Sequence, residues 1–126
     1  MIVSQQTRIQ VTDVLDLLLV AASRKDTDGI MTLLAPDFTL FTSNTTGSVL
    51  DRERVRERLI QGYADLPGVL SDPRIMAEGT IAWVTAEWMP AFRDFPPAER
   101  SGKFSAVLRG TGHTWVFVHI HVSIPG

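Results

Sequence analysis

The C-terminal segment constrains the fold most, because it alternates over about ten residues. One set of alternate positions is β-branched, and the other carries aromatic or polar-tipped side chains. A two-residue period is typical of a β-strand, whose successive side chains point to opposite faces of a sheet. The β-branched set, Thr114, Val116, Val118, Ile120 and Val122, is therefore predicted to face the core. The opposite set suits partial exposure or a subunit interface: His113, Trp115, Phe117, His119, His121 and Ser123.

Upstream of this strand, the periodicity changes to that of helices. Apolar residues at three- and four-residue steps predict a first helix over residues 7–24. A short second helix is expected after Asp26 or Asp28, either of which can cap it, and Pro36 is expected to end it. Its buried face is predicted to be Ile30, Leu33 and Leu34. A third helix is predicted over residues 52–64, with Asp51 as its N-cap.

The remaining elements are predicted to be strands joined by turns. Residues 38–42 alternate as a strand, and residues 43–47 have the composition of a turn. The stretch that contains Pro67, Gly68 and Pro73 is predicted to be a loop. Long strands are predicted over residues 80–92, 103–109 and 114–124, and the turn 110–112 makes the last two a hairpin. In the strand over 103–109, Phe104, Ala106 and Leu108 are predicted to face inward.

This order of elements predicts one α+β domain that spans residues 1–126. The predicted architecture is a cone-shaped, curved antiparallel sheet with three helices packed on its concave face. A chain of 126 residues with 44% hydrophobic residues can bury one core and leaves little room for a second domain.

Composition argues against several classes of function. A net charge of −2 offers no excess of basic residues for a phosphate backbone, so no nucleic-acid partner is expected. The chain has no cysteine, which excludes thiolate chemistry and Cys-based zinc sites. The longest apolar run is far shorter than a membrane span, so no membrane partner is expected. The N-terminal residues also lack a basic region before an apolar stretch, and the expected location is cytoplasmic.

Three strings in the chain carry a resemblance to a known family. The C-terminal string 115–123, WVFVHIHVS, resembles the ending of SnoaL-like proteins, which have the nuclear-transport-factor-2-like fold. The same ending closes the association domain of calcium/calmodulin-dependent protein kinase II. The strings 81–84, IAWV, and 35–40, APDFTL, are also similar to that family. The resemblance implies a cone-shaped cavity and a dimer through the outer face of the sheet.

The resemblance also carries expectations for single residues. The pocket arginines of the kinase association domain fall on Thr85, Ala106 and Val122, none of which is basic. The match places these positions inward, and so favours Trp83, Thr85, Glu87 and Met89 as the inward face of their strand. Ketosteroid isomerases share the fold, and their general-base aspartate falls on Thr42, which cannot abstract a proton in that way.

Together these arguments predict a cavity that binds a small, largely apolar molecule. Its predicted ligand-binding residues are Thr42 at the entrance and Tyr63, Trp83, Thr85, Phe104 and Val122 on the walls. Glu87 is the predicted catalytic residue, because an apolar cavity raises the pKa of a carboxyl group toward that of a useful acid or base. The chemistry would be a cofactor-free isomerisation, cyclisation or hydration. In the opposing interpretation, the aromatic side chains simply belong to the hydrophobic core, and Glu87 meets water or pairs with an arginine.

A second hypothesis is a non-catalytic homo-oligomerisation module. The predicted homodimer uses the outer sheet face with Trp115, Phe117, His119 and His121. His119 and His121 lie about 6.6 Å apart along an extended strand. They would share a metal ion only with a third ligand, so satisfied surface histidines are the favoured interpretation and no metal site is predicted.

Overall fold

A computed structural model describes residues 3–42, 49–63, 65–89 and 102–123 of the chain. These residues form helices that precede or interrupt the early strands, and then four long strands. The elements are α1 (Gln5–Ser23), α2 (Thr27–Met31), β1 (Leu34–Thr42), β2 (Leu50–Asp51), α3 (Arg52–Ile60), β3 (Val69–Glu78), β4 (Ile81–Met89), β5 (Gly102–Gly110) and β6 (Trp115–Ser123).

The six strands form one curved sheet with the order β2-β1-β6-β5-β4-β3. The pairing of β1 with β6 is parallel, and every other pairing is antiparallel. Helix α1 contacts β3 and β6, and α3 contacts β1 and β2, so the helices lie against one face of the sheet. The predicted α+β architecture is confirmed. No helix in the described part of the chain is long and apolar enough to cross a membrane.

Each helix begins at a polar residue whose side chain accepts a hydrogen bond from the first turn. Ser4 caps α1, Asp26 caps α2, and Asp51 caps α3, the last through Arg54 N at 2.8 Å. Such caps satisfy backbone N–H groups that have no partner within the helix. The choice left open between Asp26 and Asp28 is thus decided for Asp26. Helix α3 ends at Ile60, four residues before its predicted end.

The second helix is shorter than predicted, and β1 is correspondingly longer. Helix α2 ends at Met31, and β1 already begins at Leu34, which pairs with Phe117 of β6. Pro36 therefore lies within a strand and does not end a helix. It is tolerated because the β1–β6 register shifts between Leu34 and Thr39, where the ladder is interrupted and a missing N–H costs little.

The stretch predicted to be a loop around Pro73 contains the edge strand β3. The prediction gave the proline too much weight. Pro73 lies where the β3–β4 register shifts between Ser71 and Arg74, and the preceding Asp72 has a φ of 50°. A bulge on an edge strand is one of the few places where a sheet accepts proline.

The face of β6 that carries Trp115 and Phe117 is opposite to the one predicted. Leu108 of β5 pairs with Phe117, whereas the adjacent Val107 pairs with His119, so Val118 is an extra residue in the ladder. One inserted residue reverses the alternation on either side of it. Trp115 and Phe117 are therefore buried in the core together with Ile120 and Val122, and the prediction that they form a dimer surface is wrong.

The hydrophobic core lies between the helices and the concave face of the sheet. Phe104, Ala106 and Leu108 of β5 are all buried there, which confirms their predicted direction. The largest fully buried side chains of the core include Phe38, Phe117, Leu18, Ile30, Leu40, Leu108 and Ile120. Within the described ranges this packing fills the middle of the concave face.

Candidate ligand pocket

Helix α1 ends in a tight turn that places a lysine in an unusual backbone conformation. The N–H of Asp26 donates to Ala21 O at 2.9 Å, and that of Lys25 donates to Ala22 O at 3.2 Å. This double hydrogen bond is the Schellman motif, whose left-handed position is usually glycine. Lys25 occupies it with a φ of 54°. The left-handed conformation costs a residue with a Cβ roughly 1 kcal/mol.

Helix α3 ends in the same motif, here with glycine at the left-handed position. Tyr63 N donates to Arg58 O, and Gly62 N donates to Leu59 O, both at 3.0 Å. Gly62 has a φ of 92°. The turn folds Tyr63 back over its own helix, and the Arg58 guanidinium lies 4.0 Å from the centre of the tyrosine ring.

The two helix ends and α2 enclose a small pocket of about 50 Å³. Its wall combines apolar side chains with a few polar groups. The lining residues are Ala22, Lys25, Thr27, Ile30, Leu59, Gly62, Tyr63, Asp65 and Leu66. Pockets for drug-sized ligands have volumes of about 300–1,000 Å³, whereas one water takes about 30 Å³ of liquid. This pocket therefore fits a group of a few heavy atoms.

An ion pair forms one wall of the pocket. Arg58 donates to both carboxylate oxygens of Asp65, at 2.6 and 2.8 Å. Asp65 is buried and Arg58 is largely so, with side-chain exposures of 4% and 18%. The hydrogen bond to Asp65 raises the pKa of Arg58 above its ordinary value. Burial of the guanidinium is the next largest influence, and it opposes part of that rise. Both carboxylate oxygens are engaged by Arg58, so Asp65 acts as a structural wall.

A second cluster forms on the concave face, where three predicted ligand-binding residues meet. Val122 of β6 pairs with Thr42 of β1 on one side and with Phe104 of β5 on the other. All three are buried, with exposures of 6% or less. Phe104 and Val122 belong to the hydrophobic core, so the structure brings these residues together as packed core.

The model of the SnoaL-like domain family matches residues 11–126. The chain belongs to the SnoaL-like family. No functionally curated protein shows significant sequence similarity to it.

Solved structures share the fold of this SnoaL-like domain at low sequence identity. A cystatin-like-fold protein of unknown function from Nostoc punctiforme has a TM-score of 0.78 at 12% identity, over 98% of this chain and 95% of that one. A nuclear-transport-factor-2-like protein from Novosphingobium aromaticivorans has a TM-score of 0.72 at 16% identity, over 93% and 80%. A protein from Parabacteroides distasonis, proposed to be a ketosteroid isomerase, has a TM-score of 0.70 at 17% identity, over 88% and 84%.

The SnoaL-like resemblance misassigned the faces of β4. Ala82 and Val84 are fully buried, and Trp88 packs against the core from the same face. Trp83 and Thr85 therefore point to the outer face, where Thr85 is exposed. The predicted inward orientation of Trp83, Thr85 and Glu87 is wrong, and the side chain of Met89, the fourth residue of that predicted face, lies outside the described part of the structure. The sequence could not decide between the two faces of β4 because neither is clearly polar. The side chains of Ala82 and Val84 are the ones packed in the core.

Glu87 lies on the outer face and not in a cavity. Its carboxylate accepts a hydrogen bond from Lys103 Nζ of β5 at 2.7 Å, and its side chain is 54% exposed. That hydrogen bond, and then the lysine charge, lower the pKa of Glu87 below its ordinary value. The predicted placement is wrong, and the expected rise in pKa is replaced by a fall. The catalytic prediction for Glu87 rested on both.

Tyr63 is the predicted ligand-binding residue that lines a pocket, although a different one from that expected. It is 52% exposed and lines the pocket at the ends of α1 and α3, whereas Trp83 lies on β4 and does not line that pocket. The sequence analysis missed Lys25, Asp65 and Leu66. Gly62 was the available signal for the turn that positions Tyr63. Lys25 had no such signal, because lysine rarely takes a left-handed conformation.

The two histidines of β6 lie on the outer face, as predicted. His119 Nδ1 is hydrogen bonded to Thr39 Oγ1 at 2.8 Å. The Phe41 ring contacts both imidazoles edge-on, with ring centres 6.0 Å from His119 and 5.9 Å from His121. Across the described residues, no three His, Asp or Glu side chains are grouped closely enough to hold a metal ion.

Proposed function

We propose that this SnoaL-like domain binds a small, largely apolar molecule in the pocket between its three helices. One observation carries the proposal: Ala22, Ile30, Leu59 and Leu66 form an apolar wall beside the polar groups of Lys25, Thr27 and Tyr63. A concave apolar site with a few convergent polar groups is the usual form of a small-molecule site. The volume favours a ligand, or the end of one, of a few carbon atoms.

The polar groups of the pocket limit the chemistry it can support. Asp65 is held by Arg58 through both carboxylate oxygens, so it is a poor candidate for a general base. Lys25 and Tyr63 are both exposed, and each side chain carries a hydrogen-bond donor. The site is therefore better suited to bind and orient a ligand than to abstract a proton from it.

A pair of leucine variants tests the pocket. Leu59 and Leu70 are both half-buried leucines that pack against the core, but only Leu59 lines the pocket. Each change to alanine is expected to cost about 1–2 kcal/mol of stability, less than a fully buried leucine. Binding is measured by titrating short branched alcohols and amides while following the amide NMR signals of Ala22 and Gly62.

The expected result is that these amide signals shift on titration of the wild type, and that Leu59→Ala changes which ligand size binds best. Leu70→Ala is expected to retain the wild-type preference. If no probe shifts the pocket amides, or if both variants change binding equally, the helical pocket is not the ligand site.

We also propose a homodimer through the outer sheet face, as a second function. The face carries Phe41, 45% exposed, beside His119 and His121, and no described helix covers it. An exposed aromatic ring beside two imidazoles suits an interface, because aromatic side chains are enriched at interfaces between proteins. The proposed surface excludes Trp115 and Phe117, which are core residues.

The oligomeric state tests this second proposal. Phe41→Asp is expected to convert a dimer to a monomer in light scattering coupled to gel filtration. Ile60→Asp is the control, because Ile60 is 69% exposed on α3, away from the outer sheet face. A wild type that stays monomeric as concentration rises, or equal effects of both changes, would remove the basis for a dimer on this face.

A further inference from the structure

The pocket between the helix ends is lined by one lysine, whose ammonium group is available to a ligand. Its lining includes two charged side chains, Lys25 and Asp65. Asp65 is neutralised by the two hydrogen bonds from Arg58. Lys25 makes no ion pair or side-chain hydrogen bond with any described residue, and the adjacent Asp26 accepts from Gly29 N at 3.0 Å. Asp26 keeps its negative charge beside Lys25, so what the lining offers a ligand is an ammonium donor that is not paired, and not a net positive charge.

The backbone at Lys25 is a second, independent observation. The equivalent turn of α3 has glycine at its left-handed position, whereas α1 has a lysine with a φ of 54°. Glycine would satisfy the same two backbone hydrogen bonds without a steric cost. A side chain kept in a costly conformation is a reason to look for a function of that side chain.

We infer that the pocket takes a small amphipathic carboxylate, with its short apolar tail on Ile30, Leu59 and Leu66 and its carboxylate at Lys25. This inference rests on the proposed binding function and names the chemical class of the ligand. Tyr63 lines the same pocket, and its hydroxyl is the second donor in the proposed complex. A tail of about four carbon atoms suits the volume.

The test compares an acid with its neutral isostere in three forms of the full chain. The ligands are 3-methylbutanoate and 3-methylbutanamide, which share the same tail. The proteins are the wild type, Lys25→Gly and Arg24→Gln. Arg24 is the neighbouring exposed cation that does not line the pocket, so its removal controls for general charge. Binding constants come from the amide NMR shifts of Ala22 and Gly62, and stability comes from thermal melts.

The wild type and Arg24→Gln are expected to prefer the carboxylate over the amide by about two- to fivefold, the usual strength of an ion pair at an exposed lysine. Lys25→Gly is expected to lose that preference while melting no lower than the wild type. A loss of the preference for the acid without a loss of stability separates a ligand contact from a structural role.

Two other results would overturn the inference in distinguishable ways. If the amide binds as well as the acid, and Lys25→Gly changes neither, the pocket binds ligands but the anionic class is wrong. If neither ligand shifts the pocket amides of the wild type, the proposed function of the pocket fails as well.

Discussion

A close approach of backbone and indole at Gly102 offers the sharpest test of the described fold. Gly102 is the first residue of β5, and the indole of Trp88 from β4 lies across it. Trp88 Nε1 donates to Ser123 O of β6 at 3.0 Å. A Cβ on residue 102 would clash with both that nitrogen and the carbonyl oxygen. The glycine thus allows one tryptophan to bridge three strands.

Gly102→Ala is expected to be strongly destabilising, because one of the two contacts is with backbone that cannot turn away. The indole must leave its site, which forfeits a hydrogen bond worth about 1 kcal/mol. The overpacked strand ends add about 1–3 kcal/mol. The combined loss is therefore about 2–4 kcal/mol in the free energy of unfolding, or roughly 10 °C in melting temperature.

The assay is urea unfolding followed by circular dichroism, with Gly110→Ala as the matched control. Gly110 ends the same strand, and a Cβ there meets the Trp115 ring at 3.4 Å, an ordinary van der Waals contact. Its cost is expected to stay within about 0.5 kcal/mol, because alanine also restricts the unfolded chain. Equal stabilities of the two variants would refute the described approach of Trp88 to Ser123.

Three further predictions follow from the described contacts. Arg58→Met is expected to lower the free energy of unfolding by about 3 kcal/mol in urea, because it leaves the buried Asp65 carboxylate without a partner. The double variant with Asp65→Leu should recover most of that stability, and a double variant that recovers none would contradict the ion pair. Phe117→Ala is expected to cost about 3–5 kcal/mol in the free energy of unfolding, since the ring is fully buried. A variant that keeps its stability and changes only its oligomeric state would show that Phe117 is a surface residue and not a core residue. Because the pKa of Glu87 is depressed, its ion pair with Lys103 stabilises the fold above pH 4.5, and this contribution is lost as the pH falls below that value. The melting temperatures of the wild type and Glu87→Gln should therefore converge in acid, and a difference that stays constant with pH would contradict the ion pair.

The candidate site was predictable only in part, and its residues show why. Tyr63 was expected to contact a ligand, and it does line a pocket. Its neighbours there come from α1, α2 and the segment after α3, and no sequence period links such distant positions. Lys25 in particular takes a conformation that its residue type disfavours, so local propensity predicted nothing for it.

The sequence by itself determined the order of the three helices and of β1, β4, β5 and β6, together with the core-facing side of β5, but it missed β2 and β3. Those properties follow from local rules: helix caps such as Asp51, alternation along Phe104, Ala106 and Leu108, and the repeat of apolar residues in α1.

Tertiary structure alone decided which way β4 and the first half of β6 face. An extra residue at Val118 reverses the alternation, and pairing with the neighbouring strand is what reveals it. On β4, both faces are apolar enough for the core, so burial of Ala82 and Val84 was settled by close packing and not by polarity. Glu87 points to the outer face because side chains alternate along a strand, so the burial of Ala82 and Val84 also fixes the direction of Glu87.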